Sequence, residues 1–291
     1  IVKSIPIESE SFDTEHFLTQ REDLNTFFEG KKQLIMEFFY RDMRKKYDLL
    51  MEGGKPLGGQ WNFDKNNRKK WKGDPLIPPP FSIDTKRSQE VYDSIIKSGI
   101  ETLGSYKPEQ YLFPADRKEA LEQLDYFCEY LLVHFGDYQD AMHTRERNLF
   151  HSRISFALNT KILHPLEVMK KVIDHYHKNP DRIELSQVEG FVRQIVGWRE
   201  YMRGIYWREM PDYKLKNKLD NFNKLPDFFW TGHTKMNCLK ESITDSLETA
   251  YAHHIQRLMI TGNFALLIQC HPDEVDEWYL GIYADAVEWV Q

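Results

Sequence analysis

Amphipathic helical patterns follow one another along most of this chain, and they constrain its fold more than any other feature of the sequence. From Asp84 onward, apolar residues recur at intervals of three and four, as in RKEALEQLDYFCEYLLVHF and PLEVMKKVIDHYHKN. Short turns separate these stretches, and no alternating strand pattern appears. A chain of 291 residues can build one large domain, or one domain and a smaller piece. We therefore predict a mainly α fold with a helical domain over residues 84–291.

Two further parts are predicted before the helical domain. The first seven residues, IVKSIPI, have the pattern of a strand, with no partner strands after it. Two helical patterns follow, the first being TEHFLTQREDLNTFF with Thr14 as its candidate N-cap. We assign residues 1–51 to the end of an N-terminal domain and its first linker helices, and residues 52–83 to a basic linker rich in glycine and proline.

The linker concentrates positive charge, although the chain has a formal net charge of −6. Because a negative chain has no general attraction to a polyanion, contact with nucleic acid needs a local basic patch. A run of cations with interleaved aromatic rings can bind phosphates and stack bases, and it can equally be a solvated loop. The residues of this run are Lys65, Arg68, Lys69, Lys70 and Lys72, with Trp61 and Trp71.

Cysteine usage and hydropathy bear on the cellular compartment. Cys128, Cys238 and Cys270 lie far apart without a C-x-x-C pair, which favours a reducing compartment over a secreted disulfide scaffold. No stretch approaches about 20 uninterrupted apolar residues, and the N-terminus does not resemble a signal peptide. We predict a cytoplasmic protein that does not enter a membrane, and we expect a monomer.

Polar residues in two stretches of the helical domain are candidates for ligand contacts. In SQVEGFVRQIVGWREYMRGIYW, Ser186 and Glu189 have capping-box spacing. Arg199 and Glu200 lie beside its apolar stripe, where charges either pair with neighbours or hold a ligand. A helix N-terminus with hydroxyl and guanidinium donors can bind phosphate, although a serine there is also an ordinary cap. The stretch NLFHSRISFALNTKIL has such donors at Ser152, Arg153 and Ser155.

Two adjacent histidines, His253 and His254, stand at the front of the apolar run YAHHIQRLMITGNFAL. Histidine is the side chain best suited to exchange a proton near neutral pH. Adjacent histidines in a helix are also common as hydrogen-bonded polar residues, so both interpretations stay open at this point.

Taken together, these stretches resemble the photolyase and cryptochrome family. HSRISFALNTKIL resembles the family's phosphate-binding T-S-x-L-S-P-Y-L-x-F-G-x-L loop, GWREYMRGIYW its W-R-E helix, and HHIQRLMITGNF the H-H-x-x-R run of the (6-4) photolyases. The closer resemblance is to the bacterial iron–sulfur branch, which contains stretches similar to EFFYRDMRKK, GGQWNFD, FFWTGHTKMNC and YADAVEW. The matching stretches extend from about Leu34 to Gln291.

The resemblance implies a helical FAD-binding domain whose C-terminal part is missing from this chain. It implies that the FAD pyrophosphate is bound by Ser152, Arg153 and Ser155, and that the ring system is flanked by Arg199, Glu200, Asn263 and Asp285. It places His253 and His254 beside the lesion, as the proton donor and its neighbour. The implied activity is light-driven repair of (6-4) pyrimidine photoproducts in damaged DNA by electron transfer from reduced flavin. The alternative is a cryptochrome, a flavin photoreceptor without repair activity.

Three further implications concern electron transfer, metal and antenna. Trp230, Trp278 and Tyr279 match positions that pass electrons to the flavin in this family. Cys238 matches the first ligand of a four-iron, four-sulfur cluster, which takes four thiolates. The family's other three ligands lie beyond Gln291, and its lumazine antenna is held by an N-terminal α/β domain of which only a remnant is expected here.

Overall fold

A computed structural model describes residues 8, 10, 12–81, 83–105, 107 and 111–289. Within these residues the structure is mainly α-helical, as the sequence predicts. Apart from two isolated bridges, its β structure is one short hairpin in which β1 (Met51–Glu52) pairs antiparallel with β2 (Lys55–Pro56). The strand predicted at residues 1–7 lies outside the described residues.

Helices of moderate length follow one another to the end of the described chain. The α-helices are α1 (Asp23–Phe27), α2 (Met36–Lys46), α3 (Thr85–Lys97), α4 (Arg117–Tyr126), α5 (Leu132–Tyr138), α6 (Ser155–Asn159), α7 (Pro165–Lys178), α8 (Leu185–Val192), α9 (Glu200–Glu209), α10 (Phe228–Thr231), α11 (Asn237–Thr249), α12 (Asn263–Leu267) and α13 (Pro272–Ile282). The π-helical segments are Phe127–Leu131, Arg193–Arg199 and Ile255–Gly262. They join α4 to α5 and α8 to α9, and the third leads into α12.

The first helix is shorter than predicted. It begins at Asp23 without a side-chain cap, so the prediction of a helix from Thr14 with that residue as N-cap is wrong. Tertiary hydrogen bonds hold the segment before α1 in another conformation, because the backbone N–H and the hydroxyl of Thr19 both donate to the Glu200 carboxylate. With its backbone N–H bound to Glu200, Thr19 is held outside a helix, and this tertiary contact overrides the local helix propensity.

The predicted capping box at the start of α8 does not form. The N-cap residue is Glu184, which makes no side-chain cap hydrogen bond. Glu189 is fully buried, and its carboxylate accepts hydrogen bonds from the Tyr40 hydroxyl at 2.9 Å and the Phe63 backbone N–H at 3.0 Å. A buried carboxylate needs such donors, and they draw Glu189 away from the helix end.

The segment rich in glycine and proline packs on the helical domain. Asn67 is fully buried and donates to the backbone carbonyl of Ser186 at 3.0 Å. It lies where α5 and α8 come together at Gly136 and Gly190, and a Cβ on Gly190 would lie 2.8 Å from its amide nitrogen. The glycines therefore allow three pieces of backbone to meet. The division of the chain into three parts stays a prediction.

Two hydrophobic clusters form the interior of the described structure. The larger contains buried residues between Leu18 and Val196, and the smaller contains buried residues between Leu225 and Tyr283. Polar contacts between α6 and the segment after α13 connect the two clusters. No helix in the described part of the chain combines the length and the apolar character needed to cross a membrane.

Candidate functional site

Asp285 is the centre of the polar contacts that connect the two clusters. Its side chain is buried and accepts a hydrogen bond from the Ser155 hydroxyl at 2.6 Å. It also forms an ion pair with Arg257 at 2.6 Å, and its backbone carbonyl accepts from the Asn159 amide at 2.7 Å. Ser155 and Asp285 are thus in direct contact although 130 residues separate them.

Arg257 is a site residue that the sequence analysis did not assign. Its Nε donates to the backbone carbonyl of Ala252 at 2.7 Å, and its guanidinium lies 3.9 Å from the centroid of the Tyr283 ring. Arg257 therefore holds the Asp285 carboxylate, the backbone at Ala252 and the Tyr283 ring close to one another. The signal that identifies it is its position as the last residue of the H-H-x-x-R run.

Arg153 is a buried cation without an anionic partner among the described residues. Its backbone has a φ of 52°, in the left-handed region, and its side chain makes no ion pair with a described carboxylate. Its Nη1 has no hydrogen-bond partner there, and burial lowers the pKa of the guanidinium. Because an unpaired buried charge is costly, this geometry favours an anionic group bound beside Arg153. Ser152, directly before it, is half-buried.

His151 and His253 form a buried pair of imidazole rings. Their centroids are 4.6 Å apart with the planes inclined by 37°. Burial lowers the pKa of His253 to about 2, with further lowering by the charges of His151, His254 and Arg257. Burial also lowers the pKa of His151 to about 4, and neither of its ring nitrogens makes a well-formed hydrogen bond, although backbone groups of residues 138 and 139 lie near. Both rings are therefore neutral near pH 7.

The hydrogen bonds of His253 identify its tautomer. Its Nδ1 accepts from the backbone N–H of Ile255 at 3.3 Å. An accepting Nδ1 carries no proton, so the neutral ring carries its proton on Nε2. His253 can therefore donate a hydrogen bond from Nε2 without becoming an imidazolium.

His254 is exposed, unlike its neighbour. The carboxyl group of Asp140 lies within its electrostatic reach, because burial raises the pKa of Asp140 and the charge of His254 opposes that shift. Arg68 of the basic linker also acts on Asp140. The charges of Arg68 and His254 therefore act on the same carboxyl group.

Arg199 and Glu200 approach the C-terminal end of α6, where Asn159 donates to the backbone carbonyl of Asp285. Arg199 Nη2 donates to the carbonyl of Leu158 at 3.2 Å, and Glu200 is bound by residue 19 of the N-terminal segment. The Arg199 guanidinium lies 4.4 Å from the Phe17 ring and lines a cavity of about 370 Å³. Burial lowers the pKa of Arg199 to about 10, and the charge of Glu200 opposes this. In the described structure, neither residue contacts Asp285 directly.

Sequence and fold comparisons connect this geometry with known proteins. The model of the family described as deoxyribodipyrimidine photo-lyase-related protein matches residues 1–111. A (6-4) photolyase of Agrobacterium fabrum is 47% identical over 277 residues, which cover 94% of this chain and 54% of that protein. This chain belongs to the photolyase family. It spans about half the length of that photolyase (54%).

A solved photolyase has the same fold. The crystal structure of a bacterial class III photolyase from Agrobacterium tumefaciens matches with a TM-score of 0.52 and 18% identity, over 65% of this chain and 40% of that chain. Uncharacterized protein R853 of Acanthamoeba polyphaga mimivirus is 37% identical over 111 residues, which cover 38% of this chain and 84% of that protein.

The aromatic residues predicted to carry electrons in this photolyase-family chain have unequal surroundings. Trp278 is fully buried, donates its indole N–H to the Phe229 carbonyl at 3.0 Å, and lies 5.4 Å from the ring of Tyr279. It also lies 5.8 Å from the Tyr283 ring, which Arg257 covers. Buried aromatic rings therefore extend from Trp278 to the Asp285 contacts.

Two other predicted residues are not part of this arrangement. Trp230 is 40% exposed, and no ring contact is described for it. Asn263 is exposed on the first turn of α12 and donates to the carbonyl of Met259 at 3.2 Å. The roles of both residues beside a photolyase flavin stay predictions.

The described cysteines do not make a metal site by themselves. Cys238 is exposed in the first turn of α11, whereas Cys128 and Cys270 are buried in different hydrophobic clusters. Burial raises the pKa of Cys128 to about 12. No group of three or more ligating side chains is arranged for a metal among the described residues. These residues alone do not fit a four-iron, four-sulfur cluster, and the role of Cys238 stays a prediction.

Proposed function

We propose that this chain binds FAD and acts in light-driven repair of (6-4) pyrimidine photoproducts in DNA. The observation that carries the proposal is Arg153, a buried guanidinium with an unsatisfied Nη1 that lies near Tyr251, two residues before the paired histidines. An anionic cofactor would pair this charge. The photolyase relatives support the same class of activity.

The chain's residues fit the phosphate part of FAD. Arg153 would supply charge-assisted hydrogen bonds to the pyrophosphate, and Ser152 would supply a hydroxyl beside it. Ser155 already donates to Asp285, so its role would be to hold that carboxylate in place. Bound FAD, once reduced and excited by light, would supply the electron that opens the lesion. The lumazine antenna and the iron–sulfur cluster stay predictions.

The two histidines would have different tasks. His253 is buried and neutral, and it would donate a hydrogen bond from Nε2. His254 is exposed and would give a proton to the lesion and recover it, within electrostatic reach of the Asp140 carboxyl group. The two histidines are therefore not interchangeable, because burial lowers the pKa of His253 to about 2 and keeps its ring neutral.

Damaged DNA would approach on the side of the basic linker. A base inside a duplex cannot reach a buried cofactor, so the lesion would be flipped out, at a lower cost than an intact base. Lys70 and Lys72 are exposed, whereas Lys69 pairs with Asp137 at 2.8 Å. The two exposed lysines would bind backbone phosphates.

A single substitution tests the assignment of His254. In the full-length natural protein, His254→Ala should retain bound flavin and lose repair of (6-4) DNA under blue light by about 100-fold or more, because general acid–base catalysis contributes about 10²–10⁴-fold. Repair is measured by chromatography of the digested oligonucleotide. His233→Ala, which changes another exposed histidine, is the matched control and should repair normally.

The possible results separate repair from photoreception. Normal repair by His254→Ala would remove the proton-donor assignment. A wild-type protein whose flavin is photoreduced but which never repairs (6-4) DNA would contradict the repair proposal and favour the cryptochrome alternative.

A further inference from the structure

We propose that Gln256, oriented by Asp245, is a positioning residue that holds His253 in place at the site. This inference rests on the proposed function only for the task of His253. The contacts that carry it are present in the described structure whatever the reaction is.

One ion pair and two hydrogen bonds connect the half-exposed Arg147 to His253. Arg147 Nε pairs with Asp245 Oδ1 at 2.6 Å. The other oxygen of Asp245 accepts from Gln256 Nε2 at 2.9 Å, and Gln256 Oε1 accepts from the backbone N–H of His253 at 3.2 Å. Gln256 and His253 are both buried, so solvent does not compete for these bonds.

The donors and acceptors of the contacts between Asp245, Gln256 and His253 fit only one orientation of the Gln256 amide. A carboxylate can only accept, so Asp245 must face the amide nitrogen of Gln256 and thereby turns the amide oxygen toward His253. His253 in turn uses Nδ1 to accept from Ile255, and its ring lies against His151. With its backbone and Nδ1 both held, the ring keeps Nε2 as its donor.

Gln256 also occupies the position of a capping-box residue at the start of the helix that follows. An N3 glutamine commonly accepts from the N-cap backbone N–H, which stabilises a helix end. A purely structural role is therefore the competing explanation. If Gln256 positions His253, breaking its bond to Asp245 changes the tautomer or the placement of the His253 ring in the folded protein. If Gln256 only caps the helix, the ring stays as it is in the wild type.

The experiment uses three variants of the full-length protein. Gln256→Glu places a second carboxylate against Asp245, so the bond between them is lost. Asp245→Asn alone removes the acceptor that fixes the amide direction. The double variant Gln256→Glu with Asp245→Asn restores the bond between the two positions in the opposite direction, because the new amide at position 245 can donate to the new carboxylate, which still accepts from His253. The oxygen of that amide can still accept from Arg147.

The first readout is nitrogen NMR of labelled histidine rings, which reports the His253 tautomer and its stacking on His151. We expect Gln256→Glu to lose the single Nε2-protonated signal and to reduce (6-4) repair by about tenfold or more, since small misplacements of reacting groups are costly. The double variant should recover both. Flavin content should be unchanged in all three.

Two outcomes would overturn the inference. If Gln256→Glu keeps the wild-type His253 signals, Gln256 only caps the helix. If the double variant folds but does not recover the signals, Asp245 does not act through Gln256. If Gln256→Glu fails to fold, the double variant and Asp245→Asn decide the question in the same way. A wild-type protein without repair would contradict the proposed function, while the ring signals would still test this inference.

Discussion

At the scale of single residues, sequence motifs identified part of the candidate site. Ser155 and Asp285 were assigned from motifs far apart in the chain, and the structure brings them into contact at 2.6 Å. Arg257 ends the H-H-x-x-R run but was not assigned, and Tyr283 was not assigned because its contact with the Arg257 guanidinium, 3.9 Å from its ring, is made only in the fold. Such a pairing between distant positions leaves no pattern in the sequence itself. His151 was missed for the same reason, because only the fold brings it to His253.

The buried histidines make stability depend on pH. A free histidine has a pKa of about 6.5, whereas burial lowers that of His151 to about 4 and that of His253 to about 2. Below pH about 6.5 the unfolded chain therefore binds protons that the folded chain does not, and the free energy of unfolding decreases as pH falls. Each ring contributes up to about 1.4 kcal/mol per pH unit in this range.

His151→Phe should reduce that dependence, because it removes one titrating group and keeps a flat ring against His253. We expect the slope of unfolding free energy between pH 6 and pH 5 to fall by about 1.2 kcal/mol per pH unit, because the unfolded ring is not fully protonated at pH 6. Urea unfolding followed by tryptophan fluorescence measures it. His233→Phe changes an exposed histidine and should leave the slope as it is. An unchanged slope in His151→Phe would show that His151 is protonated in the folded state.

At the scale of elements, periodicity predicted the helical class well and predicted helix ends poorly. The pattern of residues 36–46 became α2, because its apolar face packs into the larger cluster. The pattern starting at Thr14 did not become a helix, because Glu200, far away in sequence, binds the backbone at Thr19. A local sequence pattern indicates only helix propensity. Tertiary hydrogen bonds to the backbone, such as the one at Thr19, override that propensity.

The contact between α5 and α8 leads to a prediction about two glycines. Gly190→Ala places a methyl group 2.8 Å from Asn67 Nδ2 and 3.2 Å from Gln139 Oε1, so it must displace packed groups. We expect a loss of about 1–3 kcal/mol in unfolding free energy. Gly281→Ala is the matched control in α13, where nothing lies within 4 Å, and it should stabilise by up to about 1 kcal/mol. Urea unfolding compares them, and equal midpoints would contradict the close packing.

At the scale of the whole molecule, the site lies where two hydrophobic clusters meet. α6 belongs to the larger cluster and Tyr283 to the smaller, and Asp285 bonds across from one to the other. The chain length predicted one large domain, or one domain and a smaller piece, but it could not predict where two clusters would meet, because both use the same residue types. The family resemblance identified residues on both sides of the junction, since its motifs reflect the fold rather than local propensity.

The most direct test of the account is flavin binding by the full-length protein with and without the buried charge. Arg153→Met keeps an unbranched side chain about as long as the aliphatic stem and removes the charged guanidinium, while Arg117→Met changes an exposed arginine that is 55% accessible. We expect wild type and Arg117→Met to purify with flavin absorbance bands that bleach under blue light with a reductant. Arg153→Met should bind FAD at least about tenfold more weakly, since a charged hydrogen bond contributes about 1.5–3 kcal/mol. Stoichiometric flavin in folded Arg153→Met, or a colourless wild-type protein, would contradict the proposal that this site holds FAD.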